Sequence, residues 1–311
     1  MRDFAFCFSE QAVKVALTDA SFSGGRSSAT AAATFGGCGG AGNRNVSDLS
    51  IQTASTCLYK VKLSTGKSLL IKLTWLRSHG GPSLSIVVDH FPELIPPWKS
   101  KLLTLKKGAH FFPASSPVVA LHWDFSAASY GPGPEPIGNF YVAVTVDAEA
   151  ALLLGDQRGK FLEKFSEKIE VAEFSVVYRK EQVVGSVLHS VITAQFNEGS
   201  KYHEIIIRCR GGGGGGFDGE DSELSVSIDD QKVVNVAKLR WNFRGNQTVF
   251  IDGLPVDLMW DMHGWCFSGL PEHAVFLFRR RSALESRLWL AEQGALEFSL
   301  LIQAFRSPGL L

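Results

Sequence analysis

The sequence lacks the features that would assign it quickly to a functional class. Basic and acidic side chains are equal in number, 31 of each, so no overall field favours a nucleic-acid backbone or an anionic membrane. No apolar run reaches the roughly 18 residues that a membrane-spanning helix needs. We therefore expect neither a nucleic-acid partner nor a membrane span.

Cysteine is also scarce. The number and spacing of the cysteines fit neither a disulfide framework nor a zinc site. They predict reduced, mostly buried thiols. The N-terminus carries Asp3, Glu10 and Asp19 among its apolar residues, which fits neither a secretory signal nor a transit peptide. The expected location is therefore cytoplasmic or nuclear. The cysteines are odd in number, lie far apart and form no CxxC pair: Cys7, Cys38, Cys57, Cys209 and Cys266.

Catalytic signatures are missing from the sequence. It contains no GxSxG, HxH or HExxH pattern, so we assign no catalytic residue, metal ligand or cofactor. His122 and Asp124 would share one face of a strand, as a base held by a carboxylate would. A later, similar motif has Met259 and Asp261 at these positions, which favours an ordinary side-chain contact. The glycine run 211–216 leads into an acidic stretch that would repel phosphate, so it is interpreted as a hairpin loop.

What the chain does contain is a succession of short apolar runs, separated by Gly, Pro, Ser and Asp. Such frequent turn signals are typical of an all-β sandwich or barrel. A capping box also predicts a helix over about 283–293, followed by a last strand over 296–305. The other candidate strands are 57–63, 68–76, 83–89, 100–106, 117–125, 139–147, 173–179, 187–196, 203–210, 223–229, 232–243, 247–251, 254–261 and 273–280.

Several stretches occur twice in similar form, which predicts an internal duplication. In each copy of the pattern LxWD, Trp and Asp would project to opposite faces of a strand. Trp123 and Trp260 are therefore predicted to fill equivalent core positions, and Asp124 and Asp261 to face solvent or cap a turn. The matching pairs are TGKSLLIKL (65–73) with EGSKYHEIII (198–207), SLSIVVD (83–89) with ELSVSID (223–229), and LHWDF (121–125) with LMWDM (258–262).

The predicted fold is an all-β, sandwich-like body built from two similar halves, with a short C-terminal helix. The Ser/Gly/Ala-rich stretch near the start has too few large apolar groups to offset the entropy lost on ordering. The predicted divisions are an N-terminal segment (1–20), a disordered tether (21–50), a first β half (51–156), a connector (157–186), a second β half (187–281) and a C-terminal helix and strand (282–311).

Co-linear motifs run from the first residues to the last strand: MRDF and FCF (1–8), LTW (73–75), LSIVVD (84–89), GPGPEPIGNFYVAVTVD (131–147), LLLGD (152–156), KLRWNFRGNQT (238–248), VDLMWDMHGWCF (256–267) and FSLLIQAF (298–305). Together they resemble a plant-specific family known as domain of unknown function 868. The resemblance implies a plant origin and a shared fold. Because the family has no established activity, the resemblance implies no catalytic residues. The hexaglycine run and the tether depart from the family pattern.

The densest polar and aromatic cluster is Arg240, Trp241, Asn242, Arg244 and Asn246. If this stretch is a strand, Arg240 and Asn242 share one face, Trp241 faces the core, and the later residues continue toward a turn. We therefore nominate Arg240, Asn242, Arg244 and Asn246 as the candidate binding surface. The alternative is that they only satisfy the carbonyls of the turn.

These observations favour a non-enzymatic binding or protein-interaction module with an unknown protein or small-molecule partner. The alternative is a carbohydrate- or lipid-binding protein, or an enzyme, with a cleft between the halves. An internal polar cleft would favour the alternative. A filled core with exposed aromatic side chains would favour the module.

Overall fold

A computed structural model describes residues 50–78, 80–91, 99–112, 117–147, 149–163, 169–197, 199–211, 222–267, 273–281 and 297–307. The predicted N-terminal segment, the tether up to residue 49, the glycine run after Gly211 and the predicted C-terminal helix lie outside these residues. All described residues belong to one compact unit. None of the helices within the described ranges combines the length and apolar character that crossing a membrane requires.

The described chain is mostly strand, which confirms the all-β prediction. In the first strand Cys57, Tyr59 and Val61 are buried while Lys62 is exposed, as expected where one face of a sheet meets a core. The elements up to residue 162 are β1 (Ile51–Lys62), β2 (Ser68–Ser78), β3 (Gly81–Phe91), β4 (Lys99–Leu103), β5 (Lys107–Phe111), β6 (Val119–Asp124), β7 (Ser129–Tyr130), β8 (Pro136–Gly138), β9 (Tyr141–Val146), β10 (Glu149–Leu154) and α1 (Arg158–Leu162).

The second part of the chain continues in the same manner, with two further short helices among its described residues. These elements are β11 (Glu173–Gly185), β12 (His189–Ala194), β13 (His203–Arg210), β14 (Glu223–Ile228), β15 (Gln231–Ala237), α2 (Leu239–Asn242), β16 (Arg244–Ile251), β17 (Leu254–Asp261), α3 (His263–Cys266), β18 (His273–Arg280) and β19 (Ser299–Arg306).

One large sheet runs through the molecule, with the order β16-β17-β18-β19-β11-β1-β2-β3-β4. Its middle strand, β11, pairs antiparallel with β1 and parallel with β19. Two four-stranded sheets have the orders β10-β9-β6-β5 and β12-β13-β14-β15, and β7 pairs with β8. The range 157–186, interpreted as a connector, thus contains the strand at the centre of the large sheet.

Each four-stranded sheet shares a hydrophobic core with one part of the large sheet. The first core joins residues such as Ile71 of β2 to Val144 of β9. The second core joins residues such as Ile207 of β13 to Phe276 of β18. This arrangement is compatible with the predicted sandwich-like halves.

The strand orders are also compatible with the predicted duplication. The order β1-β2-β3-β4 corresponds to β12-β13-β14-β15, and β10-β9-β6-β5 corresponds to β19-β18-β17-β16. The corresponding strands occupy different sheets, since the large sheet takes the first four strands of one set and the last four of the other. The duplication itself stays a prediction.

Candidate functional site

The candidate surface begins on a short helical turn, which carries Arg240 and Asn242, and continues onto β16, which carries Arg244 and Asn246. Strand β15 ends at Ala237, Lys238 has a positive φ of 55°, and α2 begins at the next residue. A left-handed backbone is uncommon for a residue with a Cβ, and it interrupts the alternation of a strand. The prediction of a strand over 232–243, with Arg240 and Asn242 on one face, is therefore wrong after Ala237.

Trp241 does not face the core, contrary to expectation, and is 77% exposed. The residue of this turn that enters the second core is Leu239, whose backbone N–H donates to the Oγ of the buried Ser222 at 3.0 Å. Neighbouring residues of a helical turn project in different directions from the axis. Burying Leu239 therefore leaves Arg240 and Trp241 exposed.

Two of the four nominated residues have structural contacts. The side-chain amide of Asn242 donates to the carbonyl oxygen of Ala237 at 2.9 Å. The Nε of Arg244 donates to a carboxylate oxygen of Asp261 at 2.8 Å. These contacts are of the kind that the structural alternative expects.

The other two nominated residues project from the turn and from the strand that follows it. The guanidinium carbon of Arg240 lies 5.9 Å from the ring centroid of Trp241, within reach of a cation–π contact. Asn246 lies exposed on β16. The structure therefore brings Arg240 and Trp241 together as an exposed pair, which we call the Arg240–Trp241 pair.

Trp260 holds the turn that carries this pair. Its indole Nε1 donates to the carbonyl oxygen of Asn242 at 3.2 Å. The indole also covers Gly245 on the neighbouring strand, where an added Cβ would lie 2.2 Å from a ring atom. A residue larger than glycine at this position would displace the indole, so Gly245 and Trp260 together fix the start of β16.

The same contacts occur at the first LxWD motif. The Nε1 of Trp123 donates to the carbonyl oxygen of Leu105 at 2.8 Å, and a Cβ at Gly108 would lie 2.8 Å from the indole. Trp123 is 5% exposed, whereas Trp260 is only partly buried against the second core. Both tryptophans thus pack at a core, with Trp260 at its margin.

The aspartates of the two motifs cap turns. Asp124 accepts a hydrogen bond from the backbone N–H of Ser126 at 3.2 Å, and Asp261 accepts one from His263 at 2.9 Å. Lys107 pairs with Asp124 at 2.8 Å across the strands. Burial opposes ionisation of Asp124, but hydrogen bonds from Lys107 and Ser126 outweigh it and lower the pKa of Asp124 to about 2.

His122, the residue considered as a base, packs among aromatic rings. Its ring centroid lies 5.8 Å from that of Phe111 and 5.4 Å from that of Phe161. The carboxylate of Asp124 is meanwhile engaged by Lys107 and Ser126. The surroundings of His122 are those of a packed side chain.

No sequence pattern indicated the bridge made by His203, which is 3% exposed. Its two ring nitrogens lie 2.8 Å and 2.9 Å from carboxylate oxygens of Asp229 and Asp252, each in a turn between two strands. The imidazole therefore bridges the two turns that carry these carboxylates. Across the described ranges, no group of three or more His, Cys, Asp or Glu side chains is arranged to hold a metal ion.

A second overlooked cluster surrounds Glu181 on the central strand. Its fully buried carboxylate accepts hydrogen bonds from the side chains of Gln52, Ser55 and Arg179, the last two at 3.0 Å and 2.6 Å. Burial raises the pKa of Glu181, and the positive charge of Arg179 opposes this rise. The signal available in the sequence was the spacing of Arg179 and Glu181, which places two charges on one strand face.

Arg179 links this cluster to the segment between β7 and β8, which contains Glu135. Its second contact is a salt bridge of 2.8 Å to Glu135, and it also donates to the sulfur of Cys57 at 3.6 Å. Burial raises the pKa of Cys57 to about 12, so its thiol stays protonated. The guanidinium of Arg179 thus bridges two carboxylates and holds this segment to the large sheet.

The architecture defines an all-β protein in which two hydrophobic cores share one continuous sheet, and the candidate site is a turn anchored to the second core. The chain belongs to a family of plant proteins of unknown function, DUF868, whose model matches residues 50–306. This is the family that the motifs resemble. No curated protein and no solved structure matches the chain.

We predict that the three tryptophans differ in their contribution to stability. Trp123→Ala should lower the free energy of unfolding by about 3–5 kcal/mol, because it empties a buried site. Trp260→Ala should lower it less, since the indole is partly exposed, and Trp241→Ala should change it by no more than about 0.5 kcal/mol. Urea unfolding of the four proteins measures these differences. A larger loss for Trp241→Ala than for Trp123→Ala would contradict the assignment.

Asp124 should stabilise the fold in a pH-dependent manner. Its pKa is lowered from 3.8 to about 2, so the ionised form is favoured by folding. This stabilisation is present above pH 3.8 and is lost as the pH falls toward 2. Asp124→Asn should therefore lower the melting temperature at pH 7, and the difference from the wild type should shrink below pH 4. A difference that stays constant on acidification would argue against the lowered pKa.

Proposed function

We propose that this protein is a non-enzymatic interaction module that binds a protein partner through the Arg240–Trp241 pair. The supporting observation is the 77% exposure of Trp241 beside an exposed arginine. Tryptophan and arginine are enriched among the few residues that dominate the binding energy of protein interfaces. Exposed to water, a large indole gains nothing for folding, whereas it gains apolar contact when a partner covers it.

The turn is fixed before any partner arrives. Leu239 anchors its start in the second core, Asn242 closes it onto Ala237, and Trp260 binds its last carbonyl. A surface that is already ordered loses less conformational entropy on binding than a mobile loop does. This rigidity supports a role for the pair in recognition.

The alternative of a carbohydrate- or lipid-handling cleft gains no support from the buried polar groups. Arg179 binds both Glu181 and Glu135, and the further contacts of Glu181 are to neighbouring side chains. A recognition cleft for a polar ligand would instead present polar groups toward open space. The cluster is therefore better explained as an internal bridge.

Partner capture from plant extract tests the proposal. The tagged protein should capture its partners from the extract. Trp241→Ala and Arg240→Ala should each lower the amount of partner captured at least about tenfold, as expected for interface hot spots. Melting temperatures should stay unchanged. Phe111→Ala is the matched control, because it removes an aromatic ring that is 63% exposed on β5. If Trp241→Ala captures the same proteins in the same amounts as the wild type, the proposed surface is wrong.

A further inference from the structure

The terminal strand of the large sheet, β16, has one edge that is unpaired among the described residues. It pairs with β17 on one side, and no described strand pairs with it on the other. Asn246, Thr248 and Phe250 are exposed along it, Phe250 to 74%. An edge strand of this length is a ready template for pairing with another chain.

The backbone groups of these three residues point to the uncovered edge. Asp252 and Gly253, with φ of 51° and 75°, form the two-residue turn of the β16–β17 hairpin, so Ile251 and Leu254 make the first hydrogen-bonded pair. From there, hydrogen-bonded and non-hydrogen-bonded residue pairs alternate along the hairpin. Phe250, Thr248 and Asn246 belong to non-hydrogen-bonded pairs, so their N–H and C=O groups point away from β17.

The contacts of Pro255 agree with this alternation. Pro255 lies opposite Phe250, and its carbonyl oxygen accepts the backbone N–H of Arg281 at 2.9 Å on the side facing β18. Pro255 therefore directs its carbonyl away from β16, as a residue of a non-bonded pair does. The N–H and C=O groups of Asn246, Thr248 and Phe250 are accordingly available at the edge.

The edge carries little protection against pairing. The stretch Gly245–Ile251 contains no charged residue and no proline. The strand at the opposite end of the same sheet, β4, reads KSKLL and includes two lysines, which is a common way of blocking an edge. The charges that flank this uncharged stretch are opposite in sign, Arg244 before it and Asp252 after it.

We infer that β16 pairs antiparallel with β16 of a second copy of this chain, about a two-fold axis at Thr248. In this register Thr248 lies opposite its own equivalent, Asn246 lies opposite Phe250, and Arg244 lies opposite Asp252. The outward N–H and C=O groups of Asn246, Thr248 and Phe250 in one copy then bond to those of the other copy. The same pairing covers the exposed ring of Phe250. The large sheets of two molecules become continuous.

Within each copy Arg244 pairs with Asp261, and Asp252 contacts His203. Across the axis the two exposed charges add to these contacts and favour this register and this occupant. A shift of one copy by two residues places Arg244 opposite Phe250 or opposite Leu254, which separates it from Asp252 of the other copy. The matching antiparallel partner would carry an acid at one end, a base at the other and no charge between them. A second copy of β16 has this arrangement. Two-fold symmetry makes such an edge self-complementary. Trp241 precedes the ladder, so this pairing does not depend on the proposed function.

The mass of the full-length protein in solution is the first test. Light scattering at concentrations up to about 100 µM should give twice the monomer mass, since that range would detect a Kd of about 10 µM. Asn246→Pro removes an outward N–H and should give a monomer with an unchanged melting temperature. A wild-type protein that stays monomeric, including one that binds an unrelated peptide at this edge, would overturn the inference.

Cross-linking tests the register and does not depend on the proline variant. Opposite residues of a hydrogen-bonded pair have Cα atoms about 5.5 Å apart, within the range that a disulfide spans. Thr248→Cys should therefore form a covalent dimer on mild oxidation, beyond the background of the wild-type cysteines. Asn246→Cys is the matched control, because its equivalent lies four residues away, about 13 Å. Equal cross-linking of both variants, or of neither, would rule out the two-fold pairing at Thr248.

Discussion

The pairing of β11 on both of its sides is the constraint on which the rest of the structure depends. This strand joins β1, which belongs to the first core, to β19, which belongs to the second. Both partners are distant in sequence, so the chain closes two long loops before these hydrogen bonds form. Because β11 pairs with a strand of each core, the two cores share one sheet, and the position of each core depends on the same strand.

Charged residues mark the place where one core gives way to the other. Cys57 belongs to the first core and Val183 to the second, and between them the inner face of β11 carries Arg179 and Glu181. An unpaired carboxylate there would be very unfavourable, which is why Gln52 and other donors converge on it. A buried polar network accepts fewer arrangements than apolar packing does, so this cluster favours a single register between β1 and β11.

Trp241 and Trp260 show how one backbone angle decides the role of a residue. Alternation predicted the environment of Trp260 on β17, because that strand continues to Asp261 without a break. The same reasoning failed for Trp241, since the positive φ of Lys238 ends the alternation three residues earlier. Nothing in the local pattern LRWN distinguishes a strand from a helical turn. The position of Leu239 in the second core does so.

The sequence by itself determined the all-β class and the family, because apolar alternation, turn residues and co-linear motifs are local properties. Only the tertiary structure decided which strands share a sheet, why β11 is central and why His203 meets Asp229 and Asp252. The physical reason is that an alternating strand can bury its apolar face against many partners. Its actual neighbours are selected by packing and hydrogen bonding across the whole chain.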